Sequence, residues 1–202
     1  MTPTMQSGSK SPVKELVIEL VNDTAVFRNF DCGIDEMDDF IHNGLDKSVA
    51  SNFCKLYKVT NDGALVALFA LSFDSLYLEP DDKEELRSFE TLSVDSSYQD
   101  TFWSKHHYPA LEIAYIAVRK DLRGMKIGSS LINAIVLKAS EQKFAGCQFL
   151  TVEALTKVPS NPDYSAVNFY SRNHFQLCEY PDQTKDTVRM FRPLFFNPAF
   201  LE

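Results

Sequence analysis

Apolar residues along the chain fall into two kinds of block. Dense short runs at Leu16–Val21, Cys54–Thr60, Leu65–Leu76, Leu111–Val118, Cys147–Val152, Phe175–Glu179 and Thr187–Arg192 read as strands. The second kind recurs at helical spacing. Met37, Phe40, Ile41 and Leu45 do so within Asp35–Leu45, behind an acidic first turn. Leu131, Ile132, Ile135, Val136 and Ala139 do so within Ser129–Phe144, and Ser165–Asn173 reads as a further helix. Asn61-Asp62-Gly63 between the second and third strands is a hairpin signal. Leu111–Val118 is almost wholly apolar, which predicts a central strand. With the helix and strand that follow, it predicts a right-handed parallel crossover. The expected class is α/β, a single domain with a mixed, twisted central sheet flanked by helices.

Two segments break the pattern. Residues 1–12 are small and polar and predict a disordered tail. Residues 79–107 are polar, acidic at their start, and carry the single Trp. They read as an insertion with a short helix around Asp82–Phe89. Tyr98, Trp103 and the pair His106-His107 in it are candidates to line or cover a site, with plain packing or surface placement as the competing reading.

Composition adds bounds. The chain has 202 residues with 45% hydrophobic and 24% charged, enough for one core without staples. The net charge of -8 disfavours a broad grip on nucleic acid and suits a positively charged substrate. The four cysteines are far apart with no CxxC, which predicts reduced thiols in the cytoplasm and no zinc site. No apolar run is long enough to span a membrane.

Candidate chemistry gathers after the central strand. Arg123-Gly124-Met125-Lys126-Ile127-Gly128 leads into the helix at Ser129. Backbone N–H groups at a helix start lack internal partners and attract phosphate. Arg119, Lys120, Arg123 and Lys126 put four cations into eight residues of an acidic chain. Neither GxGxxG nor a P-loop is present, and a plain solvated turn remains the competing reading.

This turn resembles the acetyl-CoA loop of the GNAT N-acetyltransferases, [Q/R]xxGx[G/A], with Arg123 first, Gly128 last, and Lys126 where the family has Gly. Glu112-Ile113-Ala114-Tyr115-Ile116-Ala117-Val118 resembles the fourth strand of GNAT histone acetyltransferases, where a Glu at this offset serves as base. Ala166-Val167-Asn168-Phe169-Tyr170, followed by His174-Phe175, resembles its A-x-x-(F/L)-Y…G-F segment, with His174 for the Gly. The resemblance spans Leu111–Phe175. Phe30-Asp31-Cys32-Gly33, with Met37-Asp38-Asp39-Phe40-Ile41, is also similar to the opening of GNAT toxins that acetylate aminoacyl-tRNA.

The resemblance implies a GNAT-like fold and an acetyl-CoA-dependent N-acetyltransferase acting by direct attack of an amine on bound acetyl-CoA. Glu112 would take the proton, with Glu153 as substitute, and Tyr170 would protonate the leaving thiolate. Cofactor contacts would come from Ile116, Ala117 and Val118, from Arg123, Gly124, Met125, Lys126, Ile127, Gly128 and Ser129, and from Asn161, Asn168 and Arg172. Two other readings stay open: a toxin-like enzyme acting on aminoacyl-tRNA, and a CoA-binding module without turnover. The partners expected are acetyl-CoA and an amine acceptor, with no membrane; a homodimer is compatible with the sequence, and tRNA is disfavoured by charge.

Overall fold

The computed structural model describes residues 15–88, 94–141, 143–178 and 184–195, so the expected tail at 1–12 and Phe89 lie outside the described residues. Strands β1 (Leu16–Val21), β2 (Lys55–Asn61), β3 (Ala64–Tyr77), β4 (His107–Val118), β5 (Phe149–Leu155), β6 (Gln176–Leu177) and β7 (Thr187–Pro193) form one sheet in the order β1-β2-β3-β4-β5-β7-β6. The β2–β3 turn bends as its Asn-Asp-Gly predicts, with Asp62 and Gly63 both at positive φ. β4 runs antiparallel to β3 and parallel to β5, so the apolar strand is central. It starts four residues before the apolar run, because Tyr108 and Ala110 are buried on its N-terminal stretch.

Helices α1 (Asp35–Asn43), α2 (Leu45–Ala50), α3 (Pro80–Ser88), α4 (Gln99–Ser104), α5 (Ile127–Glu141) and α6 (Val167–Arg172) cover the sheet. On one face, Leu131, Ile132 and Ile135 of α5 and Tyr170 of α6 pack with Ile113, Leu150, Val152 and Met190. The opposite face is shared by two separate clusters. Toward the C-terminal end of β4, Ile41 and Leu45 of α1 and α2 join Phe27, Phe30, Leu56, Leu68 and Ala117. Toward its N-terminal end, Leu86 of α3 and Phe102 of α4 join Leu76, Tyr108, Phe149 and Phe191.

Among its described residues, segment 79–107 holds the short helix expected around Asp82, here α3, and a second one, α4, both docked on the sheet. The Phe102 ring is 1% exposed and lies 4.9 Å from that of Tyr108. The Tyr108 hydroxyl donates to the Phe102 carbonyl at 2.8 Å. Burying one such aromatic contributes about 2–3 kcal/mol, which anchors α4. Arg87 of α3 stacks over Trp103 at 4.6 Å, so the Trp packs within the segment. No helix among the described residues is long and apolar enough to cross a membrane.

Candidate active site

The sheet splits at its centre. β4 pairs with β5 at three positions only, Ala110↔Phe149, Leu111↔Leu150 and Glu112↔Thr151. Beyond Glu112, β4 stays with β3 as far as Val118, while β5 stays with β7 as far as Leu155. A register shift between Ala70 and Leu71, which face Tyr115 and Ile113, leaves Ala114 as an extra residue in β4. Such a bulge bends a strand and increases its twist. The ladder to β5 does not continue through residues 114–118 of β4. Ile116 and Val118 pack toward α5, and Ala117 toward α1.

The basic turn closes the mouth of this gap. A short 3-10 turn at Lys120–Leu122 leads into Arg123, Gly124 at φ +80°, and Lys126 at φ +62°. Lys126 thus adopts the left-handed conformation in which the family pattern places glycine. A Cβ on Gly124 would meet nothing within 4 Å, so phosphate oxygens could approach its backbone. On Gly128, a Cβ would lie 3.1 Å from the Phe169 ring and 3.8 Å from Val118. Gly128 is therefore wedged between the ends of β4 and α6. The four cations are not equivalent. Arg119 is bound to Asp121 at 2.6 Å, and Lys120 pairs with Asp31. Arg123 and Lys126 make no ion pair among the described residues and stay available to an anion.

Glu112 projects on the face shared by α1–α4, where its Oε2 accepts the Ser72 hydroxyl at 2.8 Å. Its charge reaches Cys54 and Tyr115. Burial first, then Glu112, raises the pKa of the Cys54 thiol. Tyr115 is raised mainly by burial, and its ring stacks on Phe40 of α1 at 4.3 Å.

Tyr170 lies on the other face, 5% exposed, between Phe169 at 5.1 Å and Phe175 at 5.3 Å. Burial, and secondarily Tyr164, holds its phenol well above the usual range. The end of α6 fixes it: the Asn173 and Phe175 N–H groups donate to the Tyr170 carbonyl. His174 between them takes φ +65°. This is the left-handed helix end that glycine usually fills, which explains why the family has Gly there.

Asn168 and Arg172 lie on the solvent side of α6, away from Tyr170. Asn161 is exposed in a turn, its N–H donating to the Val158 carbonyl. The same loop is tied to α1, because Glu36 accepts from both the N–H and the hydroxyl of Ser160, at 2.7 and 2.6 Å. The Phe30–Ile41 segment also has a defined part. Asp38 of α1 accepts from the N–H groups of Cys32 at 2.8 Å and Gly33 at 3.1 Å. Gly33, at φ +74°, packs on Lys120 of the basic turn.

The sequence reading missed a polar network beside Glu112. Asp74 of β3 accepts from the Thr151 hydroxyl and, at 2.6 Å, from Arg189 of β7. Arg189 also donates to Glu153 of β5 at 3.2 Å. These residues share Glu112's face. The signal was the period-two spacing of Ser72 with Asp74 and of Thr151 with Glu153 inside apolar strands.

Residues 99–177 match the acetyltransferase (GNAT) domain family. Curated proteins gave no match. Several solved structures share the fold. A tyrosine-to-phenylalanine variant of KacT aligns with a TM-score of 0.59 and 19% identity over 90% of this chain and 96% of that one. AtaT complexed with acetyl-methionyl-tRNAfMet aligns with a TM-score of 0.60 and 17% identity over 89% and 95%. AtaTR bound with AcCoA aligns with a TM-score of 0.58 and 17% identity over 89% and 93%. The split sheet, the basic turn and these matches agree: residues 99–177 match the acetyltransferase (GNAT) domain, and the chain has the fold of those solved structures.

Proposed function

We propose that the chain transfers the acetyl group of acetyl-CoA to an amine by direct attack, with Glu112 and Tyr170 as base and acid. The observation that carries this reading is the short β4–β5 ladder. It ends at Glu112 and opens a gap flanked by Glu112 on one face and Tyr170 on the other. The residues fit a pantetheine arm with a diphosphate. Strand backbone at 114–118, past the end of the β4–β5 ladder, lines the gap, and Arg123, Lys126 and the open backbone at Gly124 stand at its mouth.

Bound acetyl-CoA supplies the activated acyl group. Glu112 accepts the proton from the incoming ammonium at its carboxylate, oriented by Ser72. Tyr170 keeps its proton because burial disfavours the phenolate, and donates it to the leaving sulfur. Residues 116–118 and Gly128 hold the arm in place, which removes much of the entropic barrier. The acetyl-CoA chemistry and the thiol state of the four cysteines suit a cytoplasmic setting.

The test is thermal unfolding with and without acetyl-CoA, followed by thiol release against a panel of amines and an aminoacyl-tRNA. Acetyl-CoA should raise the melting temperature, and Arg123→Ala combined with Gly128→Glu should abolish that rise. Glu112→Gln should lower kcat by about 10²–10⁴. No melting shift at saturating acetyl-CoA would overturn the reading. Turnover on the tRNA alone would move the acceptor to nucleic acid.

A further inference from the structure

The network around Arg189 bears on which amine is accepted. Glu112 is the last β4 residue paired to β5, opposite Thr151. Glu153 follows Thr151 by two positions and so projects from the same face, on the far side of the gap. Strand spacing and rise place the two Cα atoms roughly 8 Å apart or more. Each carboxylate has one oxygen committed: Glu112 Oε2 to Ser72, and Glu153 Oε1 to Arg189. The other oxygen of each carries no hydrogen bond among the described residues.

Arg189 is spoken for. Its two terminal nitrogens are held by Glu153 and Asp74. Asp74 in turn accepts from the Ser75 N–H at 2.7 Å and from the Thr151 hydroxyl. Arg189 therefore acts as a strut across β5 and the small Ala110, fixing Glu153 rather than offering itself to a carboxylate. With Asp74, Glu112 and Glu153 against one Arg189, the floor between the α1–α2 and α3–α4 clusters keeps a net charge of about -2.

We infer that the acceptor is a dicationic amine, with its reacting nitrogen at Glu112 and a second cationic centre at Glu153, which makes Glu153 a specificity-determining residue. This rests on the proposed amine transfer. One ammonium leaves the floor negative, and two neutralise it. The strut holds Glu153 in place before the substrate arrives, so little ordering cost is added on binding.

The experiment compares kcat/KM for 1,4-diaminobutane and butylamine on the full chain. The diamine should win by at least about tenfold, carried by KM, and rising salt should narrow the difference. Glu153→Gln should bring the ratio near unity, and Glu153→Asp should restore part of it. Matching melting temperatures and matching acetyl-CoA shifts among the variants establish that the fold is intact. Equal use of both amines by the unaltered chain, or a ratio unmoved by Glu153→Gln, overturns the inference and leaves amine transfer standing. Failure to acetylate any amine overturns both.

Discussion

Glu112 and Tyr170 stand on opposite faces of one sheet, and the gap that opens past the Glu112↔Thr151 pair is the passage between them. Under the roles proposed for them, the acceptor would reach the acyl carbon from the α1–α4 side while the sulfur would leave toward α6, so that the two side chains would not compete for the same space.

Tyr170→Phe tests the proposed acid. It removes one hydroxyl and keeps the ring contacts with Phe169 and Phe175. We expect kcat to fall by about 10²–10⁴, with the acetyl-CoA melting shift retained. Because the phenol's pKa is raised, Tyr170 stays protonated past pH 10, and no loss of rate below that pH should trace to it. A wild-type rate for the variant would remove Tyr170 from the chemistry.

Lys126 and His174 occupy left-handed positions where a side chain is strained. Replacing either with Gly should relieve about 1 kcal/mol, seen as a rise in melting temperature of about 2–4 °C. The two should differ in ligand response. Lys126→Gly loses a cation beside the gap and should weaken the acetyl-CoA shift; His174→Gly should not.

The Glu36–Ser160 tie between α1 and the 157–164 loop depends on a carboxylate. Hydrogen bonds from Ser160 lower the Glu36 pKa below its ordinary value. Its contribution is therefore fully present above the unfolded value near 4.5 and is lost as pH falls through the lower folded value. Hydrogen exchange at residues 157–164 should quicken as pH drops below about 4.5 after correction for intrinsic rates. Glu36→Gln should show the quickened pattern at neutral pH as well.

Cys32 is 2% exposed, and burial, then Asp38, pushes its thiol up to about 12. At pH 8 the native protein should not be alkylated there, while unfolded chain should be. Labelling of Cys32 in mass spectra would therefore report opening of the α1 segment.

Much of the architecture was legible because local signals agreed with the final packing. Asn61-Asp62-Gly63 specified its hairpin, and the apolar run at 111–118 specified its central place. The helix at 129–144 begins two residues earlier, at Ile127, because that side chain is buried in the core. Alone, the basic turn looked like four equivalent cations. Asp31 and Asp121 claim two of them, and the Asp31 pairing is set by tertiary structure across 89 positions of sequence. The Asp74–Arg189 contact spans 115 positions and crosses two intervening strands, β4 and β5, so no local window contains it. The segment at 79–107 reads as polar because α3 and α4 spend few residues on burial, chiefly Leu86 and Phe102.

The brief β4–β5 ladder also makes the molecule a pair of half-sheets joined by a three-pair seam. The backbone of β4 beyond Glu112 is an internal edge, shielded by helices rather than by a neighbouring strand. Amides along that edge should exchange with solvent sooner than those of β4 bonded to β3, although both sit in one strand. A ligand filling the seam would bond them and bring the two rates together. The protein thus carries its own occupancy gauge, readable without label or substrate turnover.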